Sequence, residues 1–402
     1  MQHVLKIKRQ PSKYNNKPAV LCLTIIGFSV LLVGEVSYID RLYFFDSVYL
    51  NQIIFFLGLY FTSIAIFKLG NSITLLALLM FLIPISITLI WSGDSEYGWF
   101  KVGNLYISSY ISLICFVFAI RYSSFDQFKK IIIALLLFLL IAAIITKLQT
   151  GLFNREKLFF MSGPIVFGRL MGIGVTLTLI GPQTTSRNIL LIVFSLAVVW
   201  TASKGPILSL LIIWTFYAVF SMSFKQKCYF ISIIFASICL LIKNLQFLDT
   251  IGLERISTVI LFLMQDGISG GNSNSINVRL LAMNEALNII TVHPLSGIGL
   301  GGWATHQENF GMLYPHNFFL EVLSEGGLFF GGLFIVPYLI FLLKLNSPFI
   351  LTPIFLAISQ QFSGDILDSR YWLVFAIISY WHHKSYHFAR DTSALRTEKG
   401  QN

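Results

Sequence analysis

The stretch NVRLLAMNEALNIITVHPLSGIGLGGWATHQENFGMLYPHNFFLEVLSEGGLFFGG, residues 277–332, is where this sequence changes character. Around it the chain is a succession of apolar runs. Within it stand Arg279, His293, His306, His316, several carboxylates and a run of glycines. A polar interruption of that kind in a hydrophobic chain reads as a reaction centre held by a frame.

The frame is a membrane protein. Of 402 residues 56% are hydrophobic and only 11% charged, against about 25% charged in an ordinary soluble domain. The apolar runs are continuous rather than alternating, so helices are the spanning solution and a β-barrel is not. Runs of about 17 to 25 residues match a hydrocarbon core of ~30 Å. They fall near 18–34, 50–67, 72–91, 104–120, 130–146, 164–181, 188–202, 205–221, 228–247, 317–343, 349–362 and 370–383. The predicted fold class is therefore all-α, a polytopic transmembrane helix bundle of about twelve helices.

Charge sets the orientation. Lys6, Lys8, Arg9, Lys13 and Lys17 precede the first run, and Lys68, Arg121, Lys129, Lys130, Arg187, Lys225, Lys227 and Lys344 fall on the same side of the bundle. Most carboxylates fall on the other. The bias of Lys and Arg toward the cytoplasm places both termini inside. No small-residue cleavage site follows the first run, which reads as a retained helix rather than a signal peptide. The net charge of +10 is then a positive inner face, and no nucleic-acid partner is needed. Cys22, Cys115, Cys228 and Cys239 lie in or at the ends of apolar runs without CxxC spacing, so neither a disulfide framework nor a zinc site is expected.

The predicted organisation is a cytoplasmic tail (1–17), nine helices (18–247), one large outer loop (248–316), three further helices (317–383) and a second cytoplasmic tail (384–402). In the loop, LERISTVILFLM (253–264) has helical apolar spacing and reads as an interfacial helix on the outer leaflet. DGISGGNSNSIN (266–277) reads as a flexible hinge. A second amphipathic helix is expected from Asn277 to Val292, ended by His293-Pro294.

Four basic residues on or near the outer side are candidates for chemistry, since charge near the bilayer demands a reason. His316 opens the tenth helix, with Asn317 as its N-cap; it either packs at a helix start or accepts a proton from a hydroxyl near neutral pH, kept neutral by nearby positive charge. Arg279, near a helix N-terminus, is either a solvated arginine or a phosphate-binding fork. Lys204, in WTASKGPIL, is either a snorkelling lysine or a second counter-charge to phosphate. Arg169, in SGPIVFGRLMGIGV, is either a substrate contact or the partner of a carboxylate such as Glu321 or Glu325.

The glycine run HPLSGIGLGGW (293–303) lacks the strand and βαβ setting of a dinucleotide loop. It reads as a tight turn that packs loop on helix or brings amides to a ligand, and as a hinge on which the loop closes. His293, His306 and His316 with Glu285 or Glu308 match no familiar metal-ligand spacing, so no metal and no cofactor is expected. The turn from Asp365 through Asp368 to Arg370 is an ion pair or an external gate.

Arg279 on its helix, then HPLSGIGLGG, then HNFFLEVLSEGGLFFGGLF, resemble the signature region of the bacterial O-antigen ligase and O-antigen polymerase family, as does a twelve-helix layout with its large loop between the ninth and tenth helices. The resemblance is specific over 277–332, weaker at TASKGP and GPIVFGR, and elsewhere compositional. It implies a membrane glycosyltransferase C-like fold with a periplasmic loop, in the bacterial inner membrane. It further implies metal-independent, inverting transfer of an oligosaccharide from undecaprenyl diphosphate to an acceptor hydroxyl on lipid A core, another glycolipid or a glycan. By motif position His316 corresponds to the histidine that activates the acceptor, and Arg279 to a diphosphate-binding arginine. Lys204 stands where the family usually has Arg, which keeps the charge and loses the fork; Arg169 is added as a third candidate contact. Ligase and polymerase differ only in the acceptor and both remain open, with ligase favoured. A lipid-linked sugar transporter, which would spread ionisable groups through the bilayer depth, is the reading from another class.

Overall fold

The computed structural model describes residues 17–32, 82–152, 159, 163–180, 182–229, 232, 236, 271–343, 348–362 and 364–379. Among them every regular element is helical. In chain order these are α1 (Lys17–Leu31), α2 (Leu82–Trp91), α3 (Ser95–Tyr122), α4 (Phe125–Thr150), α5 (Pro164–Leu179), α6 (Thr185–Trp200), α7 (Lys204–Ser221), α8 (Gly271–Val292), α9 (Gly302–Thr305), α10 (Phe318–Gly326), α11 (Gly332–Leu343), α12 (Leu351–Gln360) and α13 (Ser369–Ser379). Among the described residues three stretches are long and apolar enough to cross a membrane: Ser95–Ile120, Phe125–Thr150 and Phe318–Val336.

Local chemistry explains the boundaries. Asp94 caps α3 by accepting from the Tyr97 amide at 2.9 Å, and Ser124 caps α4 through the Gln127 amide. Pro164 opens α5, where its missing N–H is no loss. Asn317 caps α10 as the sequence predicts, its Oδ1 accepting from the Leu320 amide at 3.0 Å. α4 buries Phe128, Ile132, Leu136, Leu140 and Ala143 at helical spacing and leaves Phe138, Ile141, Ile145 and Leu148 exposed. That is the pattern of a helix with protein on one side and lipid on the other. α5 is buried along nearly its whole length from Phe167 to Leu179, packed by α4, α6, α7 and α12.

Several expectations are corrected. The helix predicted at 104–120 begins at Ser95, so the outer segment expected at 92–103 shrinks to a turn. Lys101 within that stretch is wholly buried and neutralised by Glu321 and Glu325. The hinge predicted at 266–277 is helical from Gly271, so Arg279 stands about two turns into that helix instead of near its N-terminus as expected. The helix predicted at 317–343 is divided by a π turn at Gly327–Gly331. The predicted helix at 50–67, the first half of that at 72–91, most of that at 228–247 and the interfacial helix at 253–264 lie outside the described residues.

The glycine run is packed rather than hinged. The amides of Ile298 and Gly299 donate to the carbonyls of Ser324 and Glu325 at 3.0 and 2.8 Å, and those of Leu328 and Phe329 donate back to Pro294 and Leu295. Gly297, Gly299 and Gly301 adopt φ of +63°, +85° and +88°, a region L side chains rarely take. A Cβ on Gly301 would lie 2.6 Å from the Gly98 nitrogen. The run is therefore a wedge between the end of α10 and the start of α3, with its amides already engaged.

Candidate functional site

The turn that follows α12 gathers the predicted site. Arg279 of α8 donates from Nη1 to the carbonyl of Phe362 at 3.3 Å. Asn317, beside His316, donates from Nδ2 to the carbonyl of Gln361 at 3.1 Å. Gln361 also accepts from the Phe319 amide through Oε1 at 3.4 Å, supplying one of the first-turn partners of α10. Gly205, next to Lys204, packs on the same turn: a Cβ there would sit 3.1 Å from that of Phe362 and 3.3 Å from the Ser359 carbonyl oxygen. Gly168, next to Arg169, abuts Thr201 and Pro206 on either side of Lys204. All four candidate residues thus stand on segments that converge on 359–368.

His316 sits in a constrained setting. Its backbone has φ +55°, a left-handed conformation that costs a non-glycine residue about 1–3 kcal/mol and persists where surrounding structure imposes it. The neighbouring Pro315 is buried and the imidazole half-buried. Nδ1 is sealed from solvent without a hydrogen-bond partner among the described residues, and the Tyr314 ring packs edge-to-face at 4.5 Å. Burial first, and the Arg279 guanidinium second, lower the pKa from 6.5 to about 4. The imidazole is therefore neutral at ordinary pH and able to accept a proton.

Lys204 is the first residue of α7, half-buried, after a turn in which Ala202 takes φ +47°. A cation at the positive end of a helix is opposed by the helix dipole, which suits a place where an anion docks.

Arg169 has a different partner from the carboxylates named for it. Its Nη1 lies 2.7 Å from Asp368 Oδ2, because Glu321 and Glu325 are both taken by Lys101, at 2.6 and 3.0 Å. The Asp365–Arg370 turn is thereby an ion-pair element. Asp368 and Asp365 each accept the other's amide, Gln360 donates to the Asp368 carbonyl at 2.6 Å, and Arg370 donates from Nε to the Leu31 carbonyl at 3.0 Å. Burial and the adjacent Asp368 push the Asp365 carboxyl up to about 6. His306 pairs with Glu285 at 2.8 Å, fastening the loop after α9 to α8. Among the described residues no group of three or more His, Cys, Asp and Glu is placed to hold a metal.

Sequence reasoning passed over Tyr314, Gln361 and Lys101. For Lys101 a signal was present, a cation in a run that is otherwise apolar on both sides. For Tyr314 and Gln361 none was.

Residues 189–336 match the family model described as O-antigen ligase. That segment of the chain is similar to the O-antigen ligase family. The matched segment contains Lys204, Arg279 and His316, while Arg169 and the 359–368 turn lie outside it. No curated protein gave a match to the chain. The match and the apolar helices together support a membrane protein with glycosyltransferase-like activity, of the kind that moves lipid-linked glycans in surface polysaccharide synthesis.

Proposed function

We propose that this protein transfers an oligosaccharide from undecaprenyl diphosphate to an acceptor hydroxyl on lipid A core or a similar glycolipid, at the periplasmic face of the inner membrane. The observation that carries this is the convergence of a neutral imidazole and separate cations on one turn: Arg279 and the neighbour of His316 bond successive carbonyls of Phe362 and Gln361. A proton acceptor close to fixed positive charge is what displacement from a diphosphate requires.

In the proposed step His316 takes the acceptor's proton as the acceptor oxygen bonds to the anomeric carbon. The bond from that carbon to the diphosphate oxygen breaks, and the polyprenyl diphosphate leaves with the electron pair. A single displacement inverts the anomeric centre. Arg279 and Lys204 stabilise the charge gathering on the leaving group, the part a metal ion plays elsewhere, so we assign the reaction as metal-independent. Arg169 stands behind them with its own charge met by Asp368.

Two alternatives are separable. A polymerase would use a second lipid-linked repeat as acceptor; a transporter would form no glycosidic bond. Purified protein in detergent, given lipid-linked donor alone and then donor with lipid A core, distinguishes all three. Product only with the second acceptor supports ligase, a ladder from donor alone supports polymerase, and no new bond under any condition overturns the enzyme reading. The transporter reading has less support, because the buried charges Lys101, Glu321 and Glu325 satisfy one another rather than lining a path.

A further inference from the structure

A neutral imidazole accepts a proton at one nitrogen only when the other carries the hydrogen, and in most such bases that second nitrogen is held by a carboxylate or carbonyl. For His316 the second nitrogen is Nδ1, sealed and without a hydrogen-bond partner among the described residues. Nearby acids are committed elsewhere. Glu321 is held by Lys101 and the Ile366 amide, Asp365 and Asp368 by each other's amides and Arg169, and Glu285 by His306. What does lie against the imidazole is the ring of Tyr314, with centroids 4.5 Å apart and planes inclined at 60°.

We propose that Tyr314 is the positioning residue for His316: its ring face receives Nδ1–H, which fixes the tautomer that leaves Nε2 free for the acceptor hydroxyl. The inference rests on His316 being the base. An aromatic face is a weaker acceptor than a carbonyl, but in the other tautomer Nδ1 would be a buried acceptor with no donor at all, which costs more. The left-handed backbone at His316 and the buried Pro315, which joins the two residues in sequence, hold the rings in register. Tyr314 acts through its ring and not its hydroxyl, so phenylalanine suffices and an aliphatic residue of similar bulk does not.

The test compares Tyr314→Phe, Tyr314→Leu and Tyr314→Met with His316→Ala, measuring kcat and KM with lipid-linked donor and thermal stability in the same detergent. Tyr314→Phe is expected to stay within about twofold of wild type, and both aliphatic variants to lose about tenfold in kcat with KM unchanged. Leu and Met variants that fold and turn over at the wild-type rate overturn the proposal, as does an equal loss in Tyr314→Phe, which would assign the effect to the hydroxyl. Should one aliphatic variant fail to fold, the other decides. A fully active His316→Ala would instead overturn the functional reading beneath it.

Discussion

The guanidinium of Arg279 is bonded to the carbonyl of Phe362, 83 positions away in sequence and 3.3 Å in space. One residue earlier the Gln361 carbonyl receives Asn317. The turn after α12 is thus a shared anchor: it sets where Arg279 points and where the helix following His316 begins. A substitution at either residue is therefore read against an intact neighbour.

Replacing Arg279 separates charge from shape. Under the proposed function Arg279→Ala removes a fixed donor to the leaving diphosphate, and losses of about 10²-fold are usual for one such donor. Arg279→Lys keeps the charge but cannot give two parallel hydrogen bonds, so about tenfold is expected. Initial rates with purified lipid-linked donor check both, and a wild-type rate in Arg279→Ala removes it from the site.

We propose Lys204 as a second counter-charge to the diphosphate. As a counter-charge, Lys204→Arg should retain activity and Lys204→Ala should lose it, in a complementation assay that reads the surface-glycan ladder on a gel. Equal behaviour of the two variants would show that the charge at the start of α7 is not used.

How these residues come together was only partly legible in the sequence. The all-helical class was, because runs of apolar residues cross a bilayer as helices; so was the Asn317 cap, a local rule with local partners. Pairings at long range were not. Arg169 was matched to Glu321 or Glu325 by helix-end logic, but the nearer claim of Lys101 on both carboxylates decides the issue, and nothing in the order of residues announces that claim. The glycine run looked like a hinge because glycine permits motion; here the positive φ at Gly299 serves close backbone approach.

That difference is testable. Gly299→Ala places a Cβ against the backbone of Ser92 at φ +85°, whereas Gly311→Ala shares a positive φ of +70° but meets nothing within 4 Å. Gly311→Ala should cost about 1 kcal/mol from backbone strain alone, and Gly299→Ala well over 3 kcal/mol. Thermal unfolding in detergent ranks them, and equal costs would restore the hinge.

The His316 environment sets a pH dependence. With its pKa drawn down to about 4, His316 remains a base well below pH 6.5, so its limb of the rate profile lies near 4. In Arg279→Ala the second cause of the shift is gone, and that limb moves upward. Stability follows the same displacement. Between pH 4 and 6.5 the unfolded chain binds the histidine proton and the folded one does not, so this group's contribution rises with pH across the window and is fully present above it. A limb that stays fixed in Arg279→Ala would show that the two side chains do not sense each other.

Lys101 offers the sharpest stability prediction. Its Nζ lies 2.6 Å from Glu321 and 3.0 Å from Glu325, all three side chains wholly buried, and the carboxylates also hold the Ile366 and Trp303 amides at 2.9 and 3.4 Å. The group thus ties α3, α10, the glycine wedge and the Asp365 turn together. Lys101→Met leaves two carboxylates buried without their cation, which costs about 3–5 kcal/mol. Adding Glu321→Gln and Glu325→Gln removes the charges while leaving oxygens to accept from the same amides, so the triple variant should recover most of that loss. Because no hydrogen bond or ion pair among the described residues links the triad to His316, activity per folded molecule should return with it. A triple variant no more stable than Lys101→Met would mean that the lysine acts through its packed stem, and not as the counter-charge that lets two acids sit inside the bundle.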